Sequence, residues 1–548
     1  MGEAIMLIMK RFSTTGLIMS SASKPATPHR RRSRQPAGLA TAKGVSEPAL
    51  GIEDWFDPVP DNGDIFAALE GFVAHATGRG ANDSLASDCL DGLQHQLELI
   101  RYRSDRGYQD AVRSIEEFQR AIADLVAAGR IGGPELAMLG SALHRAGIPA
   151  SAEFAAALEQ TAARFVANEA PTGFAAMLED LASQCGGDPF IVASMLAETG
   201  HGLPPQARSL MVVEQICSAS AVMRDAATLQ MLDPDPEVRR ATAAALQARI
   251  ASLSPDSLRR LIMMRNWHPE AERPLVDAVI RSARAKGIGC ATPQEGITET
   301  ILASGIDGSG AQGFFIVSPA GRRKRLSSVL LKNGVRDAWT GPPERRRDIE
   351  TALAQAVAET SMMPVSRGYF DCAVRHHLSL GLAAGAWPPV GLLQVAETVG
   401  GAPWQPERLD WREALAVLLA ELPAAMLAPD TVRATLEASD EWADLDAIAD
   451  SWFEDDQDVA RRVAGAHGCQ RAKAVQYLLQ SVLEQRRERW AEHFLLTALW
   501  LKEAPDNAAL PWREFAVLAR ALANGYDLSD IALMREIADR TVSVLTFE

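Results

Sequence analysis

Apolar residues return at every third and fourth position through long stretches of this chain, the spacing of one buried helix face. In 110–128, Ile115, Phe118, Ile122, Leu125 and Val126 keep that spacing, and Gly129 follows as a helix stop. Pro134 opens a helix carrying Leu136, Leu139 and Leu143 that ends at Gly147. Phe154, Leu158 and Phe165 mark another, and Phe174, Met177, Leu178 and Leu181 a further one closed by Gly186 and Gly187. Three starts pair a capping residue with proline: Asp188-Pro189, Asp235-Pro236 and Ser254-Pro255. His268-Pro269 opens a helix with Leu275, Val279 and Ile280, ended by Gly287. Residues 63–286 are therefore predicted to be almost entirely helical.

The pattern changes after Gly287. Thr298–Ile306 reads as a strand or a helical turn, Asp307-Gly308-Ser309-Gly310 as a turn, and Gly313–Ser318 as a strand rich in aromatic and β-branched residues. Pro319-Ala320-Gly321 turns the chain, and Arg325–Lys332 reads as a third strand ended by Asn333-Gly334. Helical spacing resumes after Pro343, through Ile349, Leu353 and Val357 and then Phe370, Val374 and Leu378. Eight of the eleven tryptophans lie beyond residue 340, beside helical patterns, which marks them as core or as the lining of a groove.

The predicted fold class is thus mainly α: a helical-hairpin array, a small antiparallel β-meander insert and a C-terminal helical domain. The boundaries are a disordered basic tail at 1–50, the array at 51–287, the insert at 288–340 and the C-terminal region at 341–548.

One segment is more specific. Leu232-Asp233-Pro234-Asp235-Pro236-Glu237-Val238-Arg239 runs on through Ala241, Ala245 and Leu246. Asp235 suits the cap, Pro236 the first helical position and Glu237 the positive end of the helix dipole. This run resembles the second helix of a HEAT-type repeat, and helix pairs return at roughly the 40-residue interval of such arrays. The resemblance covers Leu232–Leu246 residue by residue and its neighbours by periodicity. It implies an α-solenoid that holds partners.

The formal charge of −15 over 548 residues disfavours a general nucleic-acid binder. Six scattered cysteines form no C-x-x-C pair, so neither a zinc ribbon nor a disulfide framework is indicated, and a reducing cytoplasm is expected. No apolar run reaches the ~20 residues of a membrane span. Lys24, Arg30, Arg31, Arg32, Arg34 and Lys43 follow one another without an acid, a tail suited to a polyanion or an extension ahead of a start at Met19.

Three clusters carry candidate chemistry. Arg322, Arg323, Lys324 and Arg325 sit at the predicted hairpin tip, followed by Arg345-Arg346-Arg347; they could grip phosphates or simply shield an edge strand. Residues 439–458 hold nine acids and no base; Asp444, Asp450, Glu454, Asp455 and Asp456 could steer a basic partner or form a solvated helix face. Cys372, His376 and His377 are the metal candidates, since Cys372 and His376 share a helix face, although no spacing supplies two further ligands. No phosphate-binding loop, nucleophile elbow or H-E-x-x-H occurs, so neither catalytic residues nor a cofactor is assigned. The expected function is a non-catalytic helical-repeat scaffold for a protein partner. A nucleic-acid-associated protein using the basic hairpin is the rival, and a metal-dependent hydrolase the third reading.

Overall fold

A computed structural model describes residues 62–77, 83–168, 179, 182–183, 185–200, 203–292, 296–401, 403–442, 451–467, 471–504 and 510–546. They are mostly helical, with one small antiparallel sheet. Among them no helix is long and apolar enough to cross a membrane. The basic tail and most of the helix expected at 174–181 lie outside the described residues.

Five helices open the described chain: α1 (Asn62–Ala76), α2 (Asp83–Asp105), α3 (Gln109–Ala127), α4 (Gly133–Arg145) and α5 (Ala152–Asn168). Their apolar faces close on one another around Phe72, Leu97, Phe118, Ile122, Leu139 and Phe154. Gly129 and Gly147, at φ 69° and 72°, end α3 and α4 in the left-handed region that the sequence pattern required.

Six more follow: α6 (Pro189–Gly200), α7 (Pro205–Cys217), α8 (Ala221–Leu229), α9 (Pro236–Ala248), α10 (Pro255–Met264) and α11 (Arg273–Ala285). They form two rows, with α6, α8 and α10 in one and α7, α9 and α11 in the other. The expected caps are present. Asp188 accepts from Phe190 N–H at 2.8 Å, Asp235 from Glu237 N–H at 2.7 Å and Ser254 Oγ from Ser257 N–H at 3.0 Å. Val238 is fully buried and Leu246 nearly so. The array expected over 51–287 does not share one core. The apolar cluster of α1–α5 is closed on itself, whereas that of α6–α11 runs on into the sheet and the C-terminal helices.

The sheet has strands β1 (Thr300–Ala303), β2 (Gln312–Ala320), β3 (Arg323–Leu331), β4 (Val335–Thr340) and β5 (Met363–Pro364), ordered β4-β3-β2-β1-β5 and antiparallel throughout. The three expected strands are β1, β2 and β3. β4 and β5 lie beyond that expectation, and β5 extends the sheet past residue 340. Alternation sorts the side chains. Ile301, Phe314, Ile316, Val329 and Leu331 face the large core. Leu302, Phe315, Val317, Leu326 and Leu330 face α12 (Arg346–Thr360) through Ile349 and Ala356. Burial on both faces explains the near-continuous apolar runs, which hid the period-two signal.

Helices α13 (Arg367–Ala383) and α14 (Val390–Val399) cover the first face through Phe370, Val374, Leu392 and Leu393. The remaining helices are α15 (Trp411–Ala420), α16 (Pro429–Glu437), α17 (Gln457–His467), α18 (Arg471–Tyr477), α19 (Arg487–Lys502), α20 (Trp512–Ala523) and α21 (Ala532–Thr546). Of the tryptophans beyond residue 340, Trp404, Trp411, Trp452, Trp490, Trp500 and Trp512 are buried and Trp387 and Trp442 half-buried, and Trp452 stacks on Phe494 with centroids 5.5 Å apart.

At Gly391 a Cβ would overlap the Ala338 carbonyl oxygen, so α14 can approach β4 only with glycine there. Gly391→Ala is expected to destabilise by about 1–3 kcal/mol, the cost of overpacking. Gly92→Ala in α2, where a Cβ meets nothing within 4 Å, is expected to stabilise by about 0.5–1 kcal/mol through helix propensity. Thermal melts of the two variants check the opposite signs; destabilisation by both would show that the close approach is not what distinguishes Gly391.

Candidate partner-binding groove

The row of α7, α9 and α11 delivers three C-termini to one edge of the molecule. There Cys217-Ser218, the turn at Ala248–Ser252 and Lys286 surround an open groove of about 480 Å³. Its floor is apolar, from the buried Ile216 and Ile250. Its rim is cationic, from Arg224, Arg249 and Lys286. Arg224 Nη1 donates to the carbonyl oxygens of Ser218 at 2.8 Å and Ala219 at 2.7 Å. Cations belong here, because three helix C-termini, the negative ends of their dipoles, meet at the groove. Arg249 and Lys286 are exposed, and among the described residues neither has an acidic partner.

Beneath the groove, Asp225 Oδ1 accepts from Ser254 Oγ at 2.6 Å and Ser257 Oγ at 2.7 Å. A cavity of about 10 Å³ lies beside them, the space of a single water. These bonds pin the start of α10 to α8, so the groove wall is a fixed surface. Cys217 is exposed with neither histidine nor carboxylate among the groove residues to act as its base. The arrangement suits recognition: an apolar floor within a cationic rim.

The residues singled out from sequence are placed differently. Arg322 and Arg323 are exposed, and Arg323 donates to the Pro343 carbonyl at 3.1 Å. Lys324 pairs with Glu299, and Arg325 is half-buried. The hairpin tip is therefore partly tied down.

The acidic run is the clearest correction. Asp444 and Asp450 lie outside the described residues. Glu454, Asp455 and Asp456 are not a free docking face. Glu454 is 3% exposed and accepts from Arg486, from Arg489 at 2.9 Å and from Trp490 Nε1 at 3.0 Å. Asp456 accepts from Arg486 Nη2 at 2.6 Å. Asp455 pairs with Arg106 and accepts from Tyr102 Oη at 2.9 Å, which ties the α1–α5 unit to the C-terminal region. Their cationic partners are about 30 or more than 300 residues away, so the run looked unpaired in sequence.

The metal reading is also corrected. His376 Nδ1 accepts from Leu409 N–H at 3.0 Å and His377 Nδ1 from Gly334 N–H at 3.5 Å. The two imidazoles serve as buried acceptors for loop backbone, and burial holds their pKa down to about 4 and about 3. Cys372 is half-buried with its thiol pushed up by burial. Among the described residues no group of three or more His, Cys, Asp or Glu could hold a metal ion. Cys372, His376 and His377 thus do not form such a group. Sequence reasoning missed Arg224, Arg249 and Lys286 because no motif links them; the one usable signal was cations placed at or after helix ends.

Two segments match known family models. Residues 204–287 match the Y4lR second domain. Residues 412–546 match the Y4lR C-terminal helical domain. The chain is similar to Uncharacterized protein y4lR of Sinorhizobium fredii (strain NBRC 101917 / NGR234). The identity is 27% over 369 residues, 65% of this chain and 69% of that protein. No solved structure matches. All the groove residues fall within the segment similar to the Y4lR second domain, as does the HEAT-like run Leu232–Leu246.

Two tests follow from these placements. Asp455→Asn removes the charge that holds Arg106, while Gln457 N–H still donates to the Arg106 carbonyl at 2.7 Å. Amide exchange at Gln457 and in the α2–α3 turn is expected to quicken; unchanged protection would show that the ion pair does not hold the two units together.

The second concerns acid. Burial lowers His268 to about 4 and His493 to about 3, each next to arginine. In the fold both are neutral. The unfolded chain takes up their protons near pH 6.5, so stability is full above that value and falls as pH drops toward 4. Among the described residues neither His268 nitrogen has a hydrogen-bond partner, and its ring meets Trp387 edge-on. His268→Phe is expected to flatten the fall in melting temperature between about pH 7 and pH 5. An unchanged slope would remove His268 from the account.

Proposed function

We propose that this protein is a non-catalytic, HEAT-like helical scaffold, an α-solenoid in its α6–α11 portion, that binds a protein partner through the groove at the helix-row edge. The observation that carries the reading is the cation-rimmed groove on an apolar floor, built from three successive helix ends of one row. Stacked helix pairs bury a continuous core and leave such edges free. The rim fits a partner segment that bears carboxylates beside apolar side chains, since charge complementarity sets orientation and encounter rate. The reading includes a cytoplasmic location, supported by five free thiols among the described residues.

The test is native co-purification with mass spectrometry, using the parent chain and an Arg249→Glu, Lys286→Glu variant. One protein is expected in stoichiometric amount with the parent. Its recovery should fall by about tenfold or more with the variant, because like charges brought face to face at an interface cost several kcal/mol. Melting should be unchanged, since both side chains are exposed. Full recovery with the charge-reversed variant, or no stoichiometric protein with the parent, would overturn the reading.

A further inference from the structure

The fold joins two basic clusters that lie twenty residues apart in the sequence. Lys324 and Glu344 exchange backbone hydrogen bonds at 3.0 and 2.8 Å, and Arg323 reaches the Pro343 carbonyl. The hairpin tip therefore lies against the start of α12, where Arg345, Arg346 and Arg347 are all exposed. Residues 321–347 hold nine Lys or Arg against two acids, a local charge of +7 within a chain of −15. Two of these cations are already matched, Lys324 by Glu299 and Arg346 by Glu350. Among the described residues Arg322, Arg345 and Arg347 make no ion pair, and Arg323 bonds only a carbonyl.

We propose that Arg322, Arg323, Arg345 and Arg347 form a docking surface for the phosphate backbone of duplex nucleic acid. The inference is independent of the scaffold reading and uses different residues. Arginine dominates the patch, and its planar fork matches phosphate oxygens in pairs. The start of α12 adds to the site, because no side-chain acceptor caps it at Arg345 and the positive end of a helix dipole favours an anion. Phe314 and Phe315, the aromatics nearest in sequence to the tip, are buried in the sheet, so they offer no platform for unstacked bases. Binding through phosphates alone, with the bases untouched, holds duplex irrespective of sequence.

The test uses the full chain and a short fluorescent duplex of mixed sequence, read by anisotropy across a salt series. Parent protein is expected to bind at low salt with affinity that falls steeply as salt rises. Replacing all four arginines by alanine should weaken binding at least tenfold. The logarithmic salt slope should shrink by about 0.9 for each phosphate that is no longer neutralised. Arg→Lys at the same four positions should restore most of the slope, since charge is kept. The Arg249→Glu, Lys286→Glu variant should bind duplex as the parent does. Melting of every variant checks that the fold is intact. No binding by the parent at low salt overturns the proposal, as does equal binding by the alanine variant. Tighter binding of single strands, or of polyglutamate, also overturns it, by assigning the patch to a different anion.

Discussion

A carboxylate buried among tryptophans must be paired, because an isolated charge away from water is not tolerated. Glu454 is that carboxylate. Arg486, Arg489 and the Trp490 indole supply its partners, and its own backbone N–H donates to Thr541 at 3.0 Å. The constraint spreads outward from this point. Arg486 also holds Asp456, whose other oxygen accepts from Val459 N–H at 3.0 Å and so caps α17. Asp455, fixed between them, is left to face Arg106 and Tyr102 of the α1–α5 unit. One run of three acids thus anchors α19, α17 and α21 and holds a separately cored unit in place.

The α6–α11 rows are secured to the same body by charge as well as by packing. Arg239 is almost fully buried. It forms a two-pronged pair with Glu272 at 2.7 and 2.6 Å, donates to the Asp233 carbonyl at 2.5 Å, and lies over the Trp387 ring. Arg259 and Arg260 share Glu397 of α14, and Trp267 donates to the Trp404 carbonyl at 2.9 Å. The contacts of Arg239, Arg259, Arg260 and Trp267 join the helix rows to the segment 387–404. Helix α14 packs on α6 and α10 and Trp387 lies over Arg239 near the start of α9, while Arg249 and Lys286 at the far ends of α9 and α11 stay exposed.

The sequence made local order legible and distant pairing illegible. Caps at Asp188, Asp235 and Ser254, stops at Gly129 and Gly147, and the buried stripe through Val238 and Leu246 follow from short-range rules, and the structure bears them out. β2 and β3 were readable from their aromatic and β-branched runs, whereas the segment holding β1 read equally as a strand or a helical turn. β4 was not readable, because Val335–Thr340 alternates poorly, and β5 is a two-residue strand defined only by its pairing with Leu302 and Ala303. The acidic run looked like a surface because its arginines come from other helices. Arg224, Arg249 and Lys286 converge only once three helices end side by side. Conversely, Cys372, His376 and His377 looked like ligands because spacing on a helix says nothing about what a loop will ask of an imidazole.

A partner seated in the groove at the helix ends would lie against Lys286. Lys286 is the groove's own amine, and Lys473 and Lys502 lie outside it in the C-terminal helices. Amine cross-linking of the complex, read by mass spectrometry, therefore reports the contact directly. Links to the partner are expected to concentrate at Lys286 and to disappear when the partner is displaced. Partner links confined to Lys473 and Lys502, with Lys286 freely labelled in the complex, would contradict this placement.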